Sequence, residues 1–91
     1  KKEAELGYFL RKDYWGQGLM TEVVRELVFL SFTKFDFKRL TIITHEENIA
    51  SQKVALKAGF KLFRQFKGSD RYTRKMRDYT EYRYEKGDFN E

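Results

Sequence analysis

The stretch Asp13-Tyr14-Trp15-Gly16-Gln17-Gly18-Leu19-Met20 carries the clearest chemical signal in the chain. Glycines at 16 and 18 let the backbone pass close to a bound group and turn several N–H groups toward it. An apolar helical period begins at Leu19. A helix starting there adds unsatisfied N–H groups and the positive end of its dipole. Together these make an anion site suited to a pyrophosphate. Taken alone, Gly-x-Gly before a helix is equally the pattern of an ordinary strand-to-helix turn.

A second signal is Asn48-Ile49-Ala50-Ser51, followed by Ala58-Gly59-Phe60. Asn48 is a good N-cap for a short helix over residues 49–58. Lys57 suits the negative end of its dipole, and Gly59 supplies the left-handed residue that stops it. In isolation these are routine helix ends.

The elements that position both stretches are legible as changes of period. Residues 4–10 (AELGYFL) read as a strand and residues 11–18 as a loop punctuated by Gly16 and Gly18. From Leu19 to Phe35, Met20, Val23, Val24, Leu27, Val28 and Ser31 recur at three and four, widened by Phe32 and Phe35. The Phe29, Phe32, Phe35 and Phe37 group reads as core. Residues 39–44 (RLTIIT) suit a buried strand, and His45 to Glu47 a polar loop in which His45 is surface. Residues 60–66 read as a strand that continues through Tyr72–Met76 past a bend at Gly68. Thr80, Tyr82 and Tyr84 alternate with charged residues in a half-solvated strand. The order β-α-β-α-β-β implies a mixed α/β sheet with βαβ units and an antiparallel closing pair.

Composition bounds the rest. The 91 residues make one small domain, and the 41% hydrophobic and 18% aromatic content argues against disorder. With no cysteine and His45 as the one histidine, disulfides are excluded and a metal site is not expected. No apolar run spans a bilayer, and Lys1-Lys2-Glu3 does not open a signal peptide, so a cytoplasmic location is expected. The net charge of +5 attracts anions of many kinds.

In this order and spacing, Gly-Tyr-Phe-Leu at 7–10, Tyr-Trp-Gly-Gln-Gly-Leu-Met-Thr-Glu at 14–22, Asn-Ile-Ala-Ser at 48–51 and Ala-Gly-Phe at 58–60 resemble the GNAT family of N-acetyltransferases. The likeness is to the branch that includes the ribosomal-protein N-terminal acetyltransferases, and it runs from Ala4 to Tyr84. Asp13 departs from the first position of the family's loop pattern, a variable position in this branch. The resemblance implies a partial acyl-CoA N-acyltransferase fold over residues 1–91, beginning at the family's central strand, with the N-terminal part of the domain absent.

It also implies acetyl transfer from acetyl-CoA to a primary amine by direct attack. The pantetheine arm would slot between the strands at 4–10 and 39–44. The pyrophosphate would sit on the amides of Trp15, Gly16, Gln17, Gly18, Leu19 and Met20, and Asn48 and Ser51 would contact the cofactor. A backbone N–H at 6–9 would receive the oxyanion. Ala55 stands where many relatives carry an acidic tyrosine, so Ser51 is the candidate proton donor to the leaving thiolate; its alternative is a first-turn capping hydroxyl. The ungapped count from Phe60 puts Asp70 at the branch's catalytic carboxylate, and Asp78 and Tyr82 on its Asp and Tyr. Gly68-Ser69-Asp70 is also a good turn sequence, and that reading of Asp70 ranks ahead of a general base.

A rival reading is a non-catalytic basic module. Residues 61–77 hold seven Lys or Arg and one Asp, interleaved with Phe63, Phe66 and Tyr72, a composition that can bind nucleic acid or the ribosome. No RNA-binding signature accompanies it. The first strand is also expected to leave an open sheet edge, which favours homo-oligomerisation through that edge.

Overall fold

The computed structural model describes residues 2–7, 17–70 and 72–89. In chain order the elements are β1 (Glu3–Glu5), α1 (Gln17–Thr33), β2 (Arg39–His45), α2 (Ile49–Lys57), β3 (Lys61–Ser69) and β4 (Met76–Glu85), followed by a 3-10 turn at Lys86–Asp88. The mixed α/β order read from the sequence is the one observed. The four strands form one sheet in the order β1-β2-β4-β3. β1 lies parallel to β2, with α1 as the crossover between them, and the other pairs are antiparallel.

The core follows from two periods. β2 alternates, burying Leu40, Ile42 and Thr44 and leaving the residues between them half-covered. Met20, Val24, Val28 and Phe32, four apart on α1, are buried with Leu40 and Ile42 and with Val54, Ala55 and Ala58 of α2. Tyr82 of β4 and Phe60 complete the cluster.

This stripe is narrower than the sequence suggested. α1 starts at Gln17 and ends at Thr33, so Phe35 lies past its end, 55% exposed, and Phe29 on its flank is 44% exposed. Of the four phenylalanines read as core, Phe32 is buried and Phe37 packs against the cluster from its margin. A helix resting on a sheet covers one row of side chains spaced four apart, and residues 29 and 35 fall outside that row.

The chain leaves α2 as the sequence predicts. Gly59 takes φ 103° and donates to the Leu56 carbonyl, while Phe60 donates to that of Ala55. This paired closure satisfies carbonyls the helix would otherwise leave open. A side chain at 59 would also press on the Tyr84 ring, 2.9 Å from the added carbon.

Two expectations about the C-terminal strands are corrected. There is no bend at Gly68: β3 runs on to Ser69, with Gly68 opposite Arg77. The Tyr79 ring would lie 3.2 Å from a β-carbon at 68, so glycine there makes room for an aromatic cover. Nor does Tyr72–Met76 continue β3. Asp70 folds the chain back, its N–H donating to Lys75 O and its carbonyl accepting from Arg74, and β4 begins at Met76.

Candidate active site between the parting strands

Among the described residues β1 pairs with β2 at Glu3 with Arg39, Ala4 with Leu40 and Glu5 with Thr41. One further bond, from Leu6 N–H to Thr41 O at 2.7 Å, ends the ladder. The next donor on β2, the N–H of Ile43, goes to the Glu5 carboxylate at 3.0 Å. The same oxygen accepts the N–H of Gly7 at 2.7 Å. A side chain thus spans the gap where backbone pairing stops. Gly7 is needed here, because a β-carbon would lie 2.5 Å from the Ile43 carbonyl oxygen. A small cavity of about 20 Å³ opens at this point, lined by Gly7, Ile43, Thr44, His45, Asn48 and Tyr79.

Two helices begin beside β1 and β2 in sequence. α1 opens at Gln17, so the N–H groups of Gln17, Gly18 and Leu19 have no carbonyl one turn back in the helix. Its first turn carries no Asp or Glu to occupy that positive end. A β-carbon on Gly18 would meet nothing within 4 Å, so the space beside the first turn is open. These features fit a phosphate-bearing ligand. Trp15 and Gly16 lie outside the described residues, as do positions 8–10 of the strand expected at 4–10 and positions 11–16 of the loop expected at 11–18, whose last two residues belong to α1. Leu19 is exposed and Met20 buried in the core.

At α2, Asn48 caps as expected, its Oδ1 accepting the N–H of Ser51 at 3.1 Å. Ser51 is 4% exposed. Gln52 donates its side-chain amide to the carbonyls of His45 and Glu46 at 3.2 and 2.6 Å, tying α2 to the end of β2. Ala55 is fully buried in the core.

Asp70 is brought to the same end of the sheet. Its Oδ1 accepts the N–H groups of Tyr72 and Thr73 at 2.8 and 3.0 Å, the turn role weighed for it. Its other oxygen faces His45 Nε2 at 3.5 Å and Arg77 Nε at 3.8 Å. The hydrogen bonds from Thr73 and Tyr72 hold this carboxyl below the ordinary carboxylate range, against burial, with the charges of His45 and Arg77 assisting.

His45 was read as loop surface; it is the last residue of β2, its side chain 31% exposed. Its ring stacks on Tyr79 with centroids 4.9 Å apart, and Tyr79 stacks in turn on Phe66. Sequence reasoning missed it because its neighbours come from β4 and the β3–β4 turn, a pairing invisible before the register His45–Tyr79 is known. Asp78 lies on the exposed side of β4 with Lys67, while Tyr82 is in the core.

Much of the basic charge on β3 and β4 is engaged. Arg64 and Arg83 both donate to Glu81 at 2.8 Å, Lys67 pairs with Asp78, and Arg77 reaches Glu47 as well as Asp70. Among the described residues no group of three metal-ligating side chains occurs, and no helix is long and apolar enough to cross a membrane.

A mixed sheet in which pairing between two parallel strands gives way beside the N-cap of α2 is that of the acyltransferases that use a coenzyme A thioester. Residues 1–61 match the acetyltransferase (GNAT) domain, and the chain belongs to that family. It is 40% identical over 57 residues to the probable N-acetyltransferase YjcK of Bacillus subtilis, covering 63% of this chain and 32% of that protein. It is 30% identical over 59 residues to the putative ribosomal N-acetyltransferase YdaF of the same organism, covering 65% and 32%. The solved structure of RimL, a ribosomal L7/L12 alpha-N-protein acetyltransferase in complex with coenzyme A, superposes with a TM-score of 0.70 at 25% identity, covering 79% of this chain and 41% of that one. The chain thus spans about a third of the length of these curated relatives.

Proposed function

We propose that these residues are the coenzyme-A-binding half of an N-acetyltransferase domain that moves an acetyl group from acetyl-CoA to a primary amine. The observation that carries the reading is the parting of β1 and β2 after Thr41, in a chain of the GNAT family. The slot would receive the pantetheine arm. Trp15 to Met20 would hold the pyrophosphate through their amides, chiefly Gly16, Gln17, Gly18 and Leu19. Asn48 would contact the arm from α2.

The chemistry needs a neutral amine, donors for the tetrahedral oxyanion, and a proton for the departing thiolate. Ser51 is assigned to the thiolate and Asp70 to the amine side. The protein names of YdaF and RimL support an N-terminal amine as the first acceptor to test, with small amines as the alternative. The outer edge of β1 is proposed to pair with another copy of the chain or with a preceding strand; light scattering on the purified chain separates the two. A cytoplasmic location fits the use of acetyl-CoA.

The test is a calorimetric titration of acetyl-CoA, then coenzyme A release over a panel of N-terminal peptides and small amines. Saturable binding with thiol release in the presence of one acceptor is expected. No binding at millimolar acetyl-CoA by the full-length protein would overturn the reading.

A further inference from the structure

We propose that His45, held by Asp70, is the group that takes the proton from the attacking amine. The proposal rests on the acetyltransferase reading and adds a residue to it. His45 ends β2 where the strands have parted, and it lines the cavity shared with Gly7, Ile43, Thr44 and Asn48. Its Nε2 faces the Asp70 carboxylate at 3.5 Å. That carboxylate favours a proton on Nε2, which leaves the lone pair of a neutral ring on Nδ1. Nδ1 is buried and, among the described residues, has no hydrogen-bond partner. A buried polar atom without a partner is costly, and such atoms are normally satisfied by a neighbour, a water or a ligand.

The surroundings hold the ring still. Tyr79 stacks on one face, and the Gln52 amide grips the His45 carbonyl. Asp70 is itself fixed by two backbone N–H groups, which makes it an orienting carboxylate and a weak proton acceptor near neutrality. Asp70 from the β3–β4 turn faces the ring at Nε2, Tyr79 of β4 stacks on its face, and Arg77 of β4 reaches the same Asp70 oxygen.

In the step proposed, the amine nitrogen forms the new C–N bond and the thioester C–S bond breaks with its electron pair on sulfur. One proton leaves nitrogen for His45 Nδ1, the Ser51 hydroxyl gives one to the thiolate, and proton exchange with solvent from His45 to Ser51 restores both. No oxidant or reductant is required. His45 is the catalytic residue, and Asp70 the positioning residue that fixes its tautomer.

The experiment compares the full-length protein with its His45→Ala, His45→Gln and Asp70→Asn variants. Acetyl-CoA affinity is measured by calorimetry and turnover against pH with the best amine. His45→Ala and His45→Gln should each lower kcat by about 100-fold or more, the usual cost of losing a general base, with cofactor affinity within a factor of about three of the parent. Free imidazole should restore turnover to His45→Ala. Asp70→Asn should cost less than His45→Ala and shift the acidic limb of the pH profile. Turnover in both His45 variants within about twofold of the parent, with cofactor still bound, overturns the proposal and leaves the acetyltransferase reading intact. A deeper loss in Asp70→Asn than in His45→Ala, with no imidazole rescue, also overturns it by making Asp70 the base. Failure of the parent to bind acetyl-CoA overturns the reading beneath both.

Discussion

Along its β4 edge β2 is paired at every residue from Arg39 to His45, whereas along its β1 edge the pairing among the described residues ends at Thr41. The paired edge is continuous because Leu40 and Ile42 are wholly buried and any slip would turn them outward. The other edge gives up its bonds just where the buried alternation still continues, and the Glu5 side chain covers the donors left behind. One strand therefore supplies a rigid wall and an open slot, and the two properties are separable by mutation.

The largest effect is expected on catalysis through the slot. Ser51→Ala should lower turnover of the full-length protein by about 100-fold or more, while acetyl-CoA affinity stays near that of the parent. Turnover within about twofold of the parent would remove Ser51 from proton transfer and leave it a capping residue. On the wall, Ile42→Ala should cost about 2–5 kcal/mol in urea unfolding, a large share of a small domain's stability.

Acetyl-CoA at about 100 times its dissociation constant should add roughly 2.7 kcal/mol of stability. Gly18→Val should abolish that gain without destabilising the unliganded protein, since the added carbon meets open space and valine is a better helix residue than glycine. A ligand-induced shift that survives in this variant would move the phosphate site away from α1.

A smaller effect is expected from Glu81, which is 3% exposed beneath Arg64 and Arg83. Burial pushes its carboxyl up, but the hydrogen bonds and charges of the two guanidiniums outweigh this and hold it below its ordinary value of 4.5. With the folded value below the unfolded one, its stabilisation is complete above the ordinary value and is lost as pH falls through the folded value. Thermal melts between pH 7 and pH 3 should show a shallower acid loss in Glu81→Gln than in the parent. Smallest is Glu5→Ala, expected to cost about 1 kcal/mol or less through two lost hydrogen bonds. A larger loss would mean that the carboxylate itself keeps the strands apart.

The wall was more legible than the slot. The strand at 39–44, the apolar helix after Gly18 and the Asn48 and Gly59 helix ends are local patterns that survive folding, with β2 one residue longer and the buried face of α1 narrower than the sequence suggests. The Glu5 carboxylate, which takes the N–H groups of Gly7 and Ile43 where the β1–β2 pairing stops, belongs to no period. His45 was passed over because its chemistry depends on Asp70, 25 positions away, and on Tyr79 beside it in the sheet. The turn at Asp70 is legible in Gly68-Ser69-Asp70, but the bend expected at Gly68 and the strand expected at 72–76 are not there, because the Asp70 side chain folds the chain back after β3 has run on to Ser69.

The separation between paired residues has a kinetic consequence. β3 meets β4 across a six-residue connection between Ser69 and Met76, but β1 meets β2 only after the whole of α1 has been made and folded back. Loop closure of that length is slow relative to a hairpin, so β3 and β4 are expected to pair before β1 docks, an order that φ-values would check. Contacts formed late are absent from the transition state, and a ligand bound between β1 and β2 slows unfolding without hastening folding. During synthesis the same order makes β1 wait at the ribosome's exit until β2 has emerged, with the N–H and C=O groups of its inner edge open to other chains.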